Sequence, residues 1–311
     1  MKSAMKKHLG SDNKGALILL MALICVLFTF GTQGLFLNTQ NIRNILVSAS
    51  LNGIIGIGMT FVLITGGIDL SVTGNIIMTS LLVSKMMMSG VNWAVCLLVG
   101  IINGYAIGKF GMVAFVVTMA MNLITTGYGK LFSGGLTLYG FPEVHGIFCK
   151  YLLGIIPGPV IMMAVVAVIA SLILRYTNYG RKLYAVGGNV KAAWMSGIKT
   201  SKVIIIAYII SGFLCGLGAI LMTSKLMSAS STMISNTEMD AIAAAVLGGT
   251  SLSGGVGSVF GTIIGAITIA MITNGLNLMG VSAFAQEICK GLIIFVVVAV
   301  DAVQKRKMQE K

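Results

Sequence analysis

The chain has 311 residues, of which 57% are hydrophobic and only 9% charged, and its formal net charge is +13. Soluble domains carry roughly 25% charged residues, so a pair of ordinary water-soluble domains is excluded. The positive balance is that of a membrane protein, whose cytoplasmic loops collect Lys and Arg; nucleic acid is not an expected partner.

Runs such as 16–31, 160–174 and 291–300 are continuously apolar. A β-barrel strand would alternate apolar and polar residues over about ten positions, whereas a spanning helix takes about 20 apolar residues in succession. The fold class expected is an all-α integral membrane protein with about ten transmembrane helices. In chain order they fall near 16–36, 44–65, 72–89, 92–108, 111–132, 157–174, 203–224, 238–249, 257–278 and 285–303.

The first follows Lys2, Lys6, Lys7 and Lys14. It is too long for a signal-peptide core and has no A-x-A site behind it, so it reads as a membrane helix after a tail of residues 1–15. Segment 238–249 covers only about 18 Å at 1.5 Å per residue, which suggests a half-helix or a re-entrant element. The organisation expected is one transmembrane domain over 16–303, with halves near 16–150 and 151–303, and a tail over 304–311.

An even helix number puts both tails on one side. The two tails, Lys109 and the stretch 175–202 hold fifteen basic residues; the opposite loops hold five, Arg43, Lys85, Lys130, Lys150 and Lys225. Both termini are therefore expected on the cytoplasmic side of a bacterial inner membrane. Within 175–202, Asn189 suits a helix N-cap, Val190–Ser196 can make about two turns, and Gly197 suits the residue after the helix. Such a capped helix in a basic loop is either a docking element or a plain solvated connector.

Residues 66–71 read GGIDLS and residues 248–253 read GGTSLS, each at the end of an apolar run. A second echo pairs Asn103-Gly104 with Asn274-Gly275. Related halves are a common plan for transporters, with the solute path where they meet. Irregular backbone at membrane depth is tolerated only where protein or a watery cavity covers it. Candidate path or gate residues are therefore Gly66, Gly67, Asp69, Ser71, Asn103, Gly248, Gly249, Thr250, Ser251, Ser253 and Asn274. At the centre of a lipid-facing helix Asp69 would cost about 2.5–3.5 kcal/mol. Its expected place is the protein interior, water or a helix N-terminus, with a structural or gating role ahead of solute contact.

Other signals are quieter. GIIGIG at 53–58 lies in a helical run and reads as close helix packing, and GGTSLSGGVGS lacks the GK[ST] of a phosphate loop, so no ATP site is expected on this chain. No catalytic constellation or metal-ligand set appears. His8 and His145 read as solvated, and the five cysteines as small apolar side chains. Tyr139 and Phe141 in the loop 133–154 read as interfacial aromatics ahead of gate contacts. Glu287 and Lys290, three apart, are expected to pair with each other. With Asp69 they make about three intramembrane ionisable groups, few for an ion-coupled secondary carrier acting alone, which stays the alternative class.

ITGGIDLSV (64–72), YAVGGNVKAAWMSGI (184–198), EMDAIAAAVLGGTSLSGGVGSVFGTIIGA (238–266) and NGLNLMGVS (274–282) resemble the permease subunits of sugar ABC importers, the ribose-type branch among them. The resemblance covers most of the chain and implies a type II importer fold of two paired permeases, as homo- or heterodimer. It also implies a central path, a solute-binding protein outside and two cytoplasmic ATPase domains that carry ATP and Mg. It identifies Gly187, Gly188, Asn189, Ala192, Ala193, Trp194, Ser196 and Gly197 as the coupling helix that docks on the ATPase. Nucleoside or amino-acid permeases of the same fold stay open. Residues 91–104 are several positions shorter than the family pattern, so helix 92–108 spans only about 25 Å by its rise.

Overall fold

A computed structural model describes residues 2–87, 94–152 and 156–309. It holds twelve α-helices among these residues: α1 (Lys2–Gly31), α2 (Thr39–Ile64), α3 (Val72–Met87), α4 (Ala94–Gly108), α5 (Ala114–Ser133), α6 (Gly158–Tyr176), α7 (Asn178–Gly188), α8 (Val190–Met195), α9 (Thr200–Leu226), α10 (Thr237–Leu247), α11 (Val259–Leu278) and α12 (Ala283–Gln309). Each expected apolar segment coincides with one helix; α7 and α8 lie in the polar stretch 175–202. Among the described residues α2, α6, α9 and α11 are long and apolar enough to cross a membrane, and 17–31, 72–84 and 98–108 are shorter apolar helices.

The boundaries differ where backbone chemistry intervenes. α1 stops at Gly31 because Gln33 and Gly34 both adopt positive φ, 53° and 88°. The expected helix 92–108 is seen from Ala94; residues 92 and 93, and with them the first part of the shortened stretch 91–104, lie outside the described residues, as do residues 88 and 89 of the third segment.

α2 is the central post and is buried on nearly every side from Ala49 to Ile64. Lipid gives little hydrophobic drive for helices to associate, so close approach through small residues has to supply contact. GIIGIG does this on three faces. A Cβ on Gly53 would stand 2.7 Å from Met163 of α6, on Gly56 3.0 Å from Thr262 of α11, and on Gly58 3.1 Å from the Ser211 backbone of α9. The hydroxyls of Thr60 and Thr262 share a buried hydrogen bond of 2.6 Å.

α4 meets α9 by the same rule. Gly100, Gly104 and Gly108 lie four residues apart, and a Cβ on each would come within 2.5–2.9 Å of α9 backbone at Tyr208, Ile205 and Ser201. α1 closes on α11, where Gly275 receives the Phe28 ring.

The bundle has two distinct ends. At one, α7 and α8 cover the C-terminal end of α2 and the start of α9. At the other, residues 134–152 fold over α9. Leu138 pairs with Ala229 in an antiparallel bridge, and strands β1 (Tyr151–Leu152) and β2 (Ile156–Pro157) pair antiparallel.

His145 is buried there, 2% exposed, stacked on Phe141 at 4.8 Å and hydrogen-bonded to Thr223 at 2.9 Å. This corrects the solvated reading of that histidine, and burial lowers its pKa from the usual value. Phe141 packs inward on it, while Tyr139 stays exposed.

Candidate functional site

The first glycine motif begins where α2 ends. Gly66 turns the chain with φ 81°. Gly67 packs where a Cβ would stand 2.6 Å from the Tyr208 hydroxyl, which itself donates to the Ile68 carbonyl at 3.2 Å.

Asp69 then faces the interior, only 2% exposed. One carboxylate oxygen accepts from the Ser71 amide at 3.0 Å and the Ser71 hydroxyl at 2.6 Å. The other accepts from the Ser211 hydroxyl of α9 at 2.8 Å. Asn103 of α4 donates to the Ser71 hydroxyl at 2.9 Å. The carboxylate thus sits at the N-terminus of α3, where free N–H groups and the helix dipole favour negative charge, and ties α4 and α9 to that helix start. Three of its roughly four acceptor sites are filled within the protein.

The second motif follows α10, which is 11 residues long and as short as the sequence indicated for this segment. Gly248 packs on Gly261, a Cβ falling 2.2 Å from its carbonyl carbon. Gly249 makes the turn with φ 88°. Ser251 closes the loop: its N–H donates to Val256 at 3.0 Å, and its carbonyl accepts from Gly254 at 3.2 Å. The Ser251 hydroxyl accepts from the Ser253 amide at 3.3 Å. Thr250 is buried, 1% exposed, and its hydroxyl has no hydrogen-bond partner among the described residues.

The two motifs meet each other and α7. Gly255 donates its N–H to the Ile64 carbonyl at 2.9 Å. A Cβ on Gly254 would stand 2.8 Å from both the Gly66 nitrogen and the Gly187 carbonyl oxygen. A Cβ on Gly187 would fall 1.7 Å from the Ile64 carbonyl oxygen and 2.5 Å from the Gly255 nitrogen, so no side chain fits there. Tyr184 of α7 donates its hydroxyl to the Gly257 carbonyl at 2.8 Å, and burial raises its pKa, which keeps that proton in place. Leu70 and Leu252, the matching leucines of the two motifs, pack in one apolar cluster.

From this junction the chain runs into α8. Thr177 caps α7, its hydroxyl accepting from Gly180 at 3.2 Å. Asn189 caps α8, its side chain accepting from the Ala192 amide at 2.9 Å. Gly197 takes φ 80°, as the sequence required. Ala193 faces the core at 5% exposed, while Val190, Trp194 and Met195 stand out at 48%, 68% and 73%. Ser196 donates its hydroxyl to the Ala192 carbonyl at 2.9 Å, and Gly188 meets nothing that a Cβ would touch.

Two expectations change. Asn274 does not join the junction. It exchanges side-chain hydrogen bonds of 2.9 Å with Asn41, about 35 Å along α2 from Ile64 at 1.5 Å per residue. Lys290 does not pair with Glu287, which is exposed; it reaches Asp240 on α10 at 2.9 Å. Asp240 and Glu238, whose carboxylate takes the Thr73 hydroxyl, raise the count of ionisable groups packed within the bundle beyond the expected three. Both stand at the start of the segment the sequence marked as a half-helix, and that position was the signal. Among the described residues no group of three His, Cys, Asp or Glu comes together to hold a metal.

Residues 41–299 match the family described as branched-chain amino acid transport system / permease component. The ribose import permease protein of Bacillus subtilis is 42% identical over 277 residues, 86% of each chain. That of Escherichia coli K12 is 37% identical over 298 residues, 92% of each. The xylose transport system permease protein of Haemophilus influenzae is 33% identical over 365 residues, 94% of this chain and 96% of that one. No solved structure matches. A mostly helical bundle with apolar helices of spanning length, and likeness to import permeases along nearly its whole length, make this chain a member of that membrane permease family.

Proposed function

We propose that the chain is the membrane subunit of an ATP-driven importer for a monosaccharide, a ribose-like sugar being the substrate that its relatives' names favour. On this reading the fold is of type II with ten membrane helices in two weakly related halves. Both termini and α8 face the cytoplasm. A second permease subunit, two ATPase domains and an external sugar-binding protein complete the assembly.

The observation that carries it is α8. A six-residue helix that is capped at both ends, with Trp194 and Met195 on its open side, is costly to display unless another surface covers it. Its chain stretch 175–202 holds six basic residues and no acidic one. Through Gly187 the same segment is wedged against both glycine motifs. A push on α8 by an ATPase groove would therefore reach α2, α3, α10 and α11 together, by way of Ile64, Gly66 and Gly255. In this account Asp69 and Ser71 hold the start of α3 as a rigid lever, and Asn103 and Ser211 tie that lever to α4 and α9. Asp69, Glu238 and Asp240 already have partners inside the protein, which favours this reading over an ion-coupled carrier.

The test is Trp194→Glu in the assembled importer. Co-purification of the ATPase and ATP-driven sugar uptake should both fall at least tenfold, while the chain still inserts in the membrane. Undiminished ATPase association would refute the docking role of α8.

A further inference from the structure

A pocket of about 230 Å³ lies between α2, α3, α9 and α10. It opens at the end of the bundle away from α8: Lys225, in the last turn of α9, and Ser235 line it and are exposed, and α9 is about 40 Å long by its rise. Ile55, Ile76 and Gly218 are buried and form its inner side. A cavity of about 230 Å³ holds several waters. This is the size class of one ring sugar and below the ~300–1,000 Å³ of sites for larger ligands.

Its neutral polar groups are of one kind. Ser48 and Asn52 line it from one face of α2, four residues apart. Neither side chain has a hydrogen-bond partner among the described residues. Thr237 and Ser235 add two hydroxyls. Each of these groups both donates and accepts, as the neighbouring hydroxyls of a sugar do.

The carboxylates at the pocket already have partners. Asp240 lines it and is bonded to Lys290 at 2.9 Å, and the nearby Glu238 takes the Thr73 hydroxyl. Lys225, exposed, stands at the mouth. Leu51, Ile55, Ile76 and Met222 supply aliphatic wall for C–H faces. A zwitterionic amino acid would need an unpaired charge of each sign inside; a neutral polyol needs neither.

Taking the permease reading above as given, we propose that this pocket is an outward-facing sugar subsite within a single protomer, in which Ser48, Asn52 and Thr237 hold the hydroxyls of one ring sugar on its way through. The aliphatic walls and the lack of any aromatic residue in the lining give loose contact, which suits a site that must release its solute.

The test uses the complete importer in proteoliposomes, with the native cysteines replaced and Ser48→Cys introduced. A small methanethiosulfonate reagent added from the binding-protein side should label this cysteine, and D-ribose during turnover should slow labelling at least threefold while L-leucine leaves it unchanged. Asn52→Leu, which fills the space, should cut the maximal uptake rate at least tenfold, and Asn52→Ala should raise KM with less effect on the rate.

No labelling, labelling indifferent to ribose, or uptake indifferent to both Asn52 variants would overturn the subsite. Protection by L-leucine and not by ribose would assign the pocket to amino acids and overturn it equally. If the parent importer shows no ATP-driven ribose uptake at all, the permease reading itself fails, which separates the two outcomes.

Discussion

GGIDLS and GGTSLS share four of six letters, yet the two loops are built differently. In the first, the leading glycine turns the chain with φ 81° and the second packs against Tyr208; in the second, the leading glycine packs against Gly261 and the next turns with φ 88°. The positions after them diverge further. Asp69 reaches outward to α9 and, through Ser71, to α4, whereas Ser251 at the matching place folds its own loop shut. What they share is location: both end at the α7 junction and both set a leucine in one cluster. A repeated motif can thus preserve a meeting point while its residues exchange tasks.

The largest effect should come from breaking both loops at once. Gly187→Ala drives a methyl into the Ile64 carbonyl, and overpacking of this kind costs ~3 kcal/mol at the upper end of the usual range. Thermal unfolding of the purified permease should shift down sharply, and uptake should be lost. Gly188→Ala, with nothing within 4 Å of its Cβ, should change stability by less than ~0.5 kcal/mol. Equal behaviour of the two would mean that the junction is not the pivot.

Next, the first loop alone can be cut. Asp69→Ala leaves the Ser71 and Ser211 hydroxyls without their acceptor and removes a helix-start anchor, a loss of ~2–3 kcal/mol. Asp69→Asn, which can still accept from Ser71, should lose less. If Asp69→Ala kept full stability and changed only sugar affinity, the anchor role would give way to solute contact.

The smallest effect belongs to the second loop. Thr250→Val removes a buried hydroxyl that has no partner among the described residues, so stability should hold or rise by up to ~1 kcal/mol, read as the melting temperature in detergent. A fall of that size would show that the hydroxyl finds a partner in the working protein and that the two loops are more alike than their geometry says.

Much of this was legible in the letters. Apolar runs marked ten of the twelve helices among the described residues. Asn189 and Gly197 announced the ends of α8, because caps are local chemistry. The three glycines of GIIGIG announced close packing, although not which helices they would admit.

α7 was missed as a helix: its apolar residues Tyr179, Leu183 and Val186 are spaced for one face, but the surrounding charge and glycine hid them. The partners of Lys290, His145 and Asn274 lie 50, 78 and 233 residues away in sequence. Local pattern favours the neighbour three residues off, and only the packed fold makes the distant one nearer. The pocket was invisible for the same reason, since its walls come from four helices.

The central claim is that this chain shapes a passage and a partner supplies the work through α8. Its most direct test is solute accumulation by the purified chain in proteoliposomes, first alone under an imposed ion gradient, then with ATPase, binding protein and ATP. The account predicts no uphill D-ribose uptake in the first case and accumulation in the second, abolished by Gly187→Ala. Uphill uptake by the chain alone, driven by the gradient and collapsed by an ionophore, would contradict it.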